Sequence, residues 1–146
     1  ALLGGADDQA ITIEAKGFKV RVLKFSDMGV TSVGFSILAH QDTIREKPDL
    51  VRRVVAASIK GFEDALKDPD AAVAAVKKIA PLADAAIVKR QLEVDLGFLF
   101  SRNNPQRRIG YGPPQDWEMT YDLLKKHRGM VTDQPVIAFY TNEFLP

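Results

Sequence analysis

The sequence predicts an α/β fold in which a few strands precede a mostly helical carboxyl-terminal region. Three observations carry that expectation. Two runs, Phe18 to Phe25 and Val33 to Ala39, alternate apolar with polar or small residues at the period of a half-buried strand. From Pro48 onward the apolar positions instead recur at three- and four-residue steps, the period of helices lying against a core. The opening Ala1-Leu2-Leu3-Gly4-Gly5 reads as the end of a buried strand entering a glycine turn, which leads us to expect an upstream half.

Taken in order, Asp8 to Lys16 suits a short helix stopped by Gly17, because glycine after a helix accepts the left-handed backbone. Phe18, Val20 and Val22, then Leu23 and Phe25 after a double apolar step, are spaced by Lys19, Arg21 and Lys24. Ser26-Asp27-Met28-Gly29 supplies turn chemistry before the second alternating run, Val33, Phe35, Ile37 and Ala39. Pro48 suits the first turn of an amphipathic helix whose stripe is Val51, Val54, Val55, Ile59, Phe62 and Leu66. Asp68-Pro69 closes that helix and opens the next, with Asp68 as N-cap, running to about Ala80. Pro81 breaks it, and Asp84 caps a third helix that buries Ile87, Leu92, Leu96 and Leu99. A loop over 101–114, rich in Asn, Pro, Gly and Arg, leads to a helix carrying Trp117, Tyr121 and Leu124 and ending near Gly129. The tail is suited to dock through Phe144 and Leu145. Two or three strands leave bare edges, so the rest of the sheet is expected elsewhere in the intact protein or in a second copy.

Composition narrows the function classes. With 146 residues, 46% of them hydrophobic and 27% charged, the chain falls in the globular class. A net charge of +1, from 20 basic and 19 acidic side chains, offers nothing to a polyanion, so no nucleic-acid partner is expected. The absence of cysteine excludes disulfides, thiolate nucleophiles and cysteine metal sites, and two distant histidines, His40 and His127, argue against a histidine metal centre. Neither a cofactor nor a metal is expected. No stretch reaches the roughly 20 apolar residues needed to cross a bilayer.

The order of several short motifs resembles a known family. Ser26-Asp27-Met28-Gly29-Val30, Pro48-Asp49-Leu50-Val51, Gly61-Phe62 through Ala65, and Asp68-Pro69-Asp70-Ala71-Ala72 look like the carboxyl-terminal half of NMT1/THI5-like substrate-binding proteins. Gln115-Asp116-Trp117 and the closing Tyr140-Thr141-Asn142-Glu143-Phe144-Leu145-Pro146 fit the same pattern. The resemblance implies a type II periplasmic-binding-protein fold of two α/β lobes that close on a solute and deliver it to an ABC permease. On that plan residues 1–31 end the second lobe, 32–40 form the hinge crossover strand, and 41–146 return as the helical part of the first lobe. It further implies a periplasmic or extracytoplasmic location at the transporter, and relatives handle thiamine-pathway pyrimidines, nitrate, taurine and alkanesulfonates.

Ligand-contact candidates follow from where loops leave strands, since open α/β sheets bind ligands outside the carboxyl ends of their strands. Gly4, Gly5, Asp7 and Asp8 occupy such a place. The glycines permit close approach, and a carboxylate could accept from an amine or a protonated ring nitrogen, while either aspartate could equally cap the following helix. Ser26 and Asp27 are the second candidate, or else a simple turn. Trp117 and Tyr121 suit a core better than an aromatic platform, and Arg102, Arg107 and Arg108 suit a solvated loop better than an anion site. The expected function is solute binding without chemistry, by a small organic or anionic ligand. The alternatives are a THI5-like pyrimidine-forming enzyme, for which no Cys, His-carboxylate pair or nucleophile elbow is present, and a helical interaction module. A homodimer of the chain is a further expectation.

Overall fold

A computed structural model describes residues 1–146. Six α-helices organise it: α1 (Gln9–Ala15), α2 (Gln41–Glu46), α3 (Pro48–Lys67), α4 (Pro69–Ile79), α5 (Ala85–Phe98) and α6 (Pro114–His127). Two 3₁₀ turns, Phe25–Met28 and Val136–Phe139, complete the regular structure. The expected α/β class is corrected: 55% of the residues are helical and no strand is present.

The physical reason is visible at both alternating runs. A strand exists only where a neighbouring strand accepts and donates its backbone hydrogen bonds, and periodicity reports side-chain sorting rather than the partner. Phe18, Leu23 and Phe25 are 66%, 68% and 56% exposed, and Phe35 and Leu38 are 72% and 91% exposed. Neither run finds a second chain segment to pair with, so both remain irregular apart from Phe25, which begins a 3₁₀ turn, and the second bends at Phe35.

The helices, by contrast, start and stop where local chemistry requires. Asp68 Oδ1 accepts from the Ala71 amide at 2.9 Å, and Asp84 Oδ1 accepts from the amides of Ala86 and Ile87 at 2.8 and 3.1 Å. Each bond satisfies an amide that the first helical turn leaves orphaned, worth about 1 kcal/mol per cap. Gly17 and Gly129 take φ of 87° and 67° just past α1 and α6, the left-handed backbone that lets the chain leave a helix. The alternation-free stretch after Ala39 adds α2, whose N-cap is His40: its Nδ1 accepts from the Asp42 amide at 3.2 Å.

Chain contacts gather into two compact units. The first comprises residues 1–28 and 61–99, the second 29–60 and 100–146. In the first unit α5 packs on α4 and on α1. Ile11 of α1, Val73 of α4 and Ala65 are its most buried apolar residues, at 4%, 7% and 6% exposure. Lys89 Nζ donates to Asp70 at 2.7 Å, and Arg90 donates to Glu14 at 2.6 Å, so α5 is pinned to α4 and α1 by one ion pair each. Both pairs are largely exposed, so solvent screening leaves each with little effect on stability. Lys77 at the end of α4 donates to the carbonyls of Pro81 and Ala83, closing the turn into α5.

In the second unit α6 packs on the 3₁₀ turn at Val136–Phe139. Trp117 stacks on Tyr140 with ring centres 4.8 Å apart, and Tyr121 tilts against Phe139 at 5.9 Å while its hydroxyl donates to Gln134 O at 2.8 Å. Both aromatics therefore serve the packing of this unit. The loop expected over 101–114 is built around Asn104, 4% exposed. Its side-chain amide donates to Arg108 O at 2.8 Å and accepts from the Arg108 amide at 3.2 Å. Asn142 clasps Gly112 in the same two-way manner, at 2.9 and 3.0 Å. The tail docks as its sequence suggested, with Phe144 only 8% exposed.

Candidate ligand-binding site

The candidate positions at the amino terminus fold onto one another because Gln9 reaches back. Its Oε1 accepts from the Gly5 amide at 2.7 Å, and its Nε2 donates to Asp8 Oδ2 at 3.0 Å. A Cβ on Gly4 would collide with the Gln9 side-chain carbonyl, and one on Gly5 with the Asp7 carboxylate. Both contacts are with the ends of flexible side chains, which would have to shift to make room.

Asp8 stands at the N-cap of α1, yet its side chain makes no capping bond to the helix backbone. Its Oδ1 instead takes Thr12 Oγ1 at 3.4 Å and Gln91 Nε2 of α5 at 3.3 Å. The capping alternative is not what the structure uses. Gly5, Gln9, Asp8 and Gln91 form one hydrogen-bonded chain from the loop across α1 to α5.

A second α5 residue completes the cluster. Asp95 lies four residues, one helical turn, beyond Gln91, so the two share a face of α5. One carboxylate oxygen of Asp95 is buried and has no hydrogen-bond partner. Burial, and secondarily the negative charge of Asp7, push the Asp95 carboxyl above its ordinary value. Chemically, the Asp7, Asp8, Gln91 and Asp95 side chains can accept hydrogen bonds from N–H or O–H groups of a small molecule. A protonated Asp95 could also donate one. Sequence reasoning assigned α5 only its apolar face and missed Gln91 and Asp95. The available signal was an acid between Val94 and Leu96, four residues after an amide side chain.

Ser26 and Asp27 lie in the 3₁₀ turn Phe25–Met28 and are exposed. The Asp27 amide donates to Lys24 O at 3.1 Å, and no hydrogen bond links either side chain to the Gly4–Asp8 loop. The structure therefore brings four of the six candidates together and leaves these two apart. The arginines of the long loop are engaged in packing: Arg107, at φ 52°, lies 4.1 Å over the Phe100 ring, and Arg108 donates to Pro146 O at 2.8 Å. In the second unit a shallow apolar groove of about 300 Å³ is lined by Ile37, Leu38, Ala39, Leu50, Val51 and Val54. No group of three or more His, Asp or Glu side chains is arranged to hold a metal ion, and no helix is long and apolar enough to cross a membrane.

Comparison with known proteins gives two matches. Residues 1–72 match the family described as NMT1/THI5 like. Together with the relative that follows, this supports an NMT1/THI5-like substrate-binding protein, as the order of motifs implied. That relative is the riboflavin-binding protein RibY of Chloroflexus aurantiacus, 27% identical over 147 residues that take in 99% of this chain. The chain spans 42% of the length of RibY. No solved structure matches.

Proposed function

We propose that the chain is part of the solute-binding component of an ABC importer, capturing a small molecule outside the cytoplasm and passing it to a membrane permease. The observation that carries this reading is the similarity to a riboflavin-binding protein over 99% of the chain, with the NMT1/THI5-like match over its first 72 residues. In this reading residues 1–31 end the second lobe, 32–40 cross the hinge and 41–146 return to the first. Lobe closure is the whole mechanism: a ligand that contacts both lobes favours the closed state by its extra contacts, and no bond is made or broken.

The Gly4–Asp8 loop supplies contacts, with Asp7 and Asp8 as acceptors and Gln91 and Asp95 behind them. Ser26 and Asp27 offer a second set. Acceptors crowded in this way favour a solute with several N–H or O–H donors. A flavin, with its imide N–H and ribityl hydroxyls, meets that requirement and is the first ligand to test. A charge-assisted hydrogen bond to a carboxylate is worth about 1.5–3 kcal/mol, so losing one weakens binding by roughly ten- to a hundredfold.

The test is a titration of riboflavin fluorescence with the protein, beside thermal-shift measurements with pyrimidines, taurine, alkanesulfonates and nitrate. Saturable quenching, weakened by Asp7→Asn or Asp8→Asn, is the expected result. No quenching and no stabilisation by any of these solutes would refute the reading. Chemical conversion of a panel member in the same mixture would replace it with an enzyme.

A further inference from the structure

Residues 29–40 and α6 both belong to the second unit, and two neighbouring side chains of α6 hold the start of that run. Thr120 Oγ1 accepts from the Val33 amide at 2.7 Å, across 87 positions of sequence. One residue earlier in α6, Met119 Sδ accepts from the Thr31 hydroxyl at 3.8 Å, a weak bond because a thioether is a poor acceptor. Thr31 and Val33 are half-buried, whereas Ser32 between them is exposed.

The Thr120 hydroxyl is committed to accepting from Val33. It has one proton, and it donates that proton to Asp116 O, one helical turn back, at 2.8 Å. Its lone pairs remain, and the Val33 N–H takes one of them. Asp116 is itself fixed, since Asn103 Nδ2 donates to its Oδ1 at 2.6 Å. Asn103, Asp116, Thr120 and Val33 thus link the loop after α5, through the first turns of α6, to the start of the run.

On the two-lobe reading given above, on which this inference rests, α6 belongs to the first lobe and residues 32–40 cross the hinge. A crossing segment gripped by α6 at Thr31 and Val33 moves with the first lobe from its first residue. What is left to turn lies just upstream, between the 3₁₀ turn Phe25–Met28 and Thr31. Gly29 stands there at φ 81°, and a Cβ built on it would meet nothing within 4 Å. Hinges are a few element-terminal residues that absorb backbone rotation, and an uncrowded glycine does so at little steric cost. We propose that Thr120 is a positioning residue for lobe closure: its hydroxyl fastens Val33 to α6 and so sets the pivot at Gly29–Val30 rather than within 32–40.

The test uses the full chain and two measurements that need no ligand. Amide exchange read by NMR is expected to show protection at Val33 and little at Gly29 and Val30. Thr120→Val keeps the side-chain shape and removes the acceptor; it is expected to speed exchange at Val33 at least tenfold while the amides of α6 stay protected. Thr120→Ser keeps the hydroxyl and is expected to retain the native pattern, which separates loss of the bond from loss of packing. Because the chain has no cysteine, spin labels can be placed by Lys19→Cys and Lys126→Cys, both at exposed positions. Their distance distribution is expected to broaden in Thr120→Val and to stay native in Thr120→Ser. Unchanged Val33 exchange in Thr120→Val, or a distance distribution as narrow as the native one, overturns the proposal. Adding riboflavin to the labelled native protein tests the solute reading separately: distances that do not shorten refute closure on a flavin, and the two ligand-free results still decide the role of Thr120.

Discussion

Replacing Asn104 by Ala removes the side chain around which the loop between α5 and α6 is wound. The native amide satisfies both backbone groups of Arg108, accepting from its N–H at 3.2 Å and donating to its C=O at 2.8 Å. Alanine reaches neither. Each part-buried backbone group left without a partner costs about 1–3 kcal/mol, so the variant is expected to lose about 2–6 kcal/mol from the second unit. Trp117 belongs to the same unit, and Asn103 Nδ2 donates to Asp116 Oδ1 at 2.6 Å, tying this loop to the first turn of α6 beside it. Tryptophan fluorescence during urea unfolding therefore reports the loss where it occurs. Asn104→Asp refines the test. A carboxylate keeps the bond from the Arg108 amide but opposes the Arg108 carbonyl, whereas the protonated acid can donate to that carbonyl and regains part of the stability at low pH. A loss below about 0.5 kcal/mol for Asn104→Ala, or an Asn104→Asp variant as stable as the native protein at neutral pH, would refute the reasoning.

Two further outcomes follow from single contacts. Gly112→Ala places a Cβ 2.5 Å from Trp117 Nε1, and pushing the indole away from its stack on Tyr140 is expected to cost about 1–3 kcal/mol with a shift in tryptophan emission. An unchanged spectrum and denaturation midpoint would show that the ring yields freely. Asp95→Asn is expected to raise the melting temperature at neutral pH, because the native carboxyl is pushed above 3.8 by burial and by Asp7. The sign follows from linkage: the native state disfavours the charged form, so the penalty is full above the folded value, shrinks as pH falls through it, and is gone below the unfolded value. Melting scans at about pH 7 and about pH 3 should show the advantage of the variant at the first and not at the second. The same gap at both would mean that charge is not the cause.

Helix ends were legible from single residues. Asp68 and Asp84 are short acceptors placed just before a helical period, Pro69 lacks the amide that a first turn leaves unused, and Gly17 and Gly129 tolerate the left-handed exit. Such decisions are local, made within about four residues, and neighbours in sequence are enough to make them. The short helix α2 escaped notice because six residues carry too little periodicity to stand out. Of the candidate site, the Gly4–Asp8 loop was legible because paired glycines beside paired acids are chemically conspicuous. Gln91 and Asp95 were not, since only the packing of α1 on α5 carries Asp8 to within 3.3 Å of Gln91 across 83 positions of sequence.

The strands mark the boundary most sharply. Alternation at Phe18–Phe25 and Val33–Ala39 predicted strands, but a sheet also needs a second backbone, and none in the chain comes alongside. By itself the sequence determined every helix but α2, the aspartate caps of α4 and α5 and the family likeness, because these depend on covalent neighbours and residue type. The tertiary structure alone decided which apolar runs stay bare, that Asn104 and Asn142 hold the loop, and that a buried carboxyl on α5 stands near the charge of Asp7. Those outcomes rest on contacts between segments far apart in sequence, whose free energy appears only once the chain has folded them together.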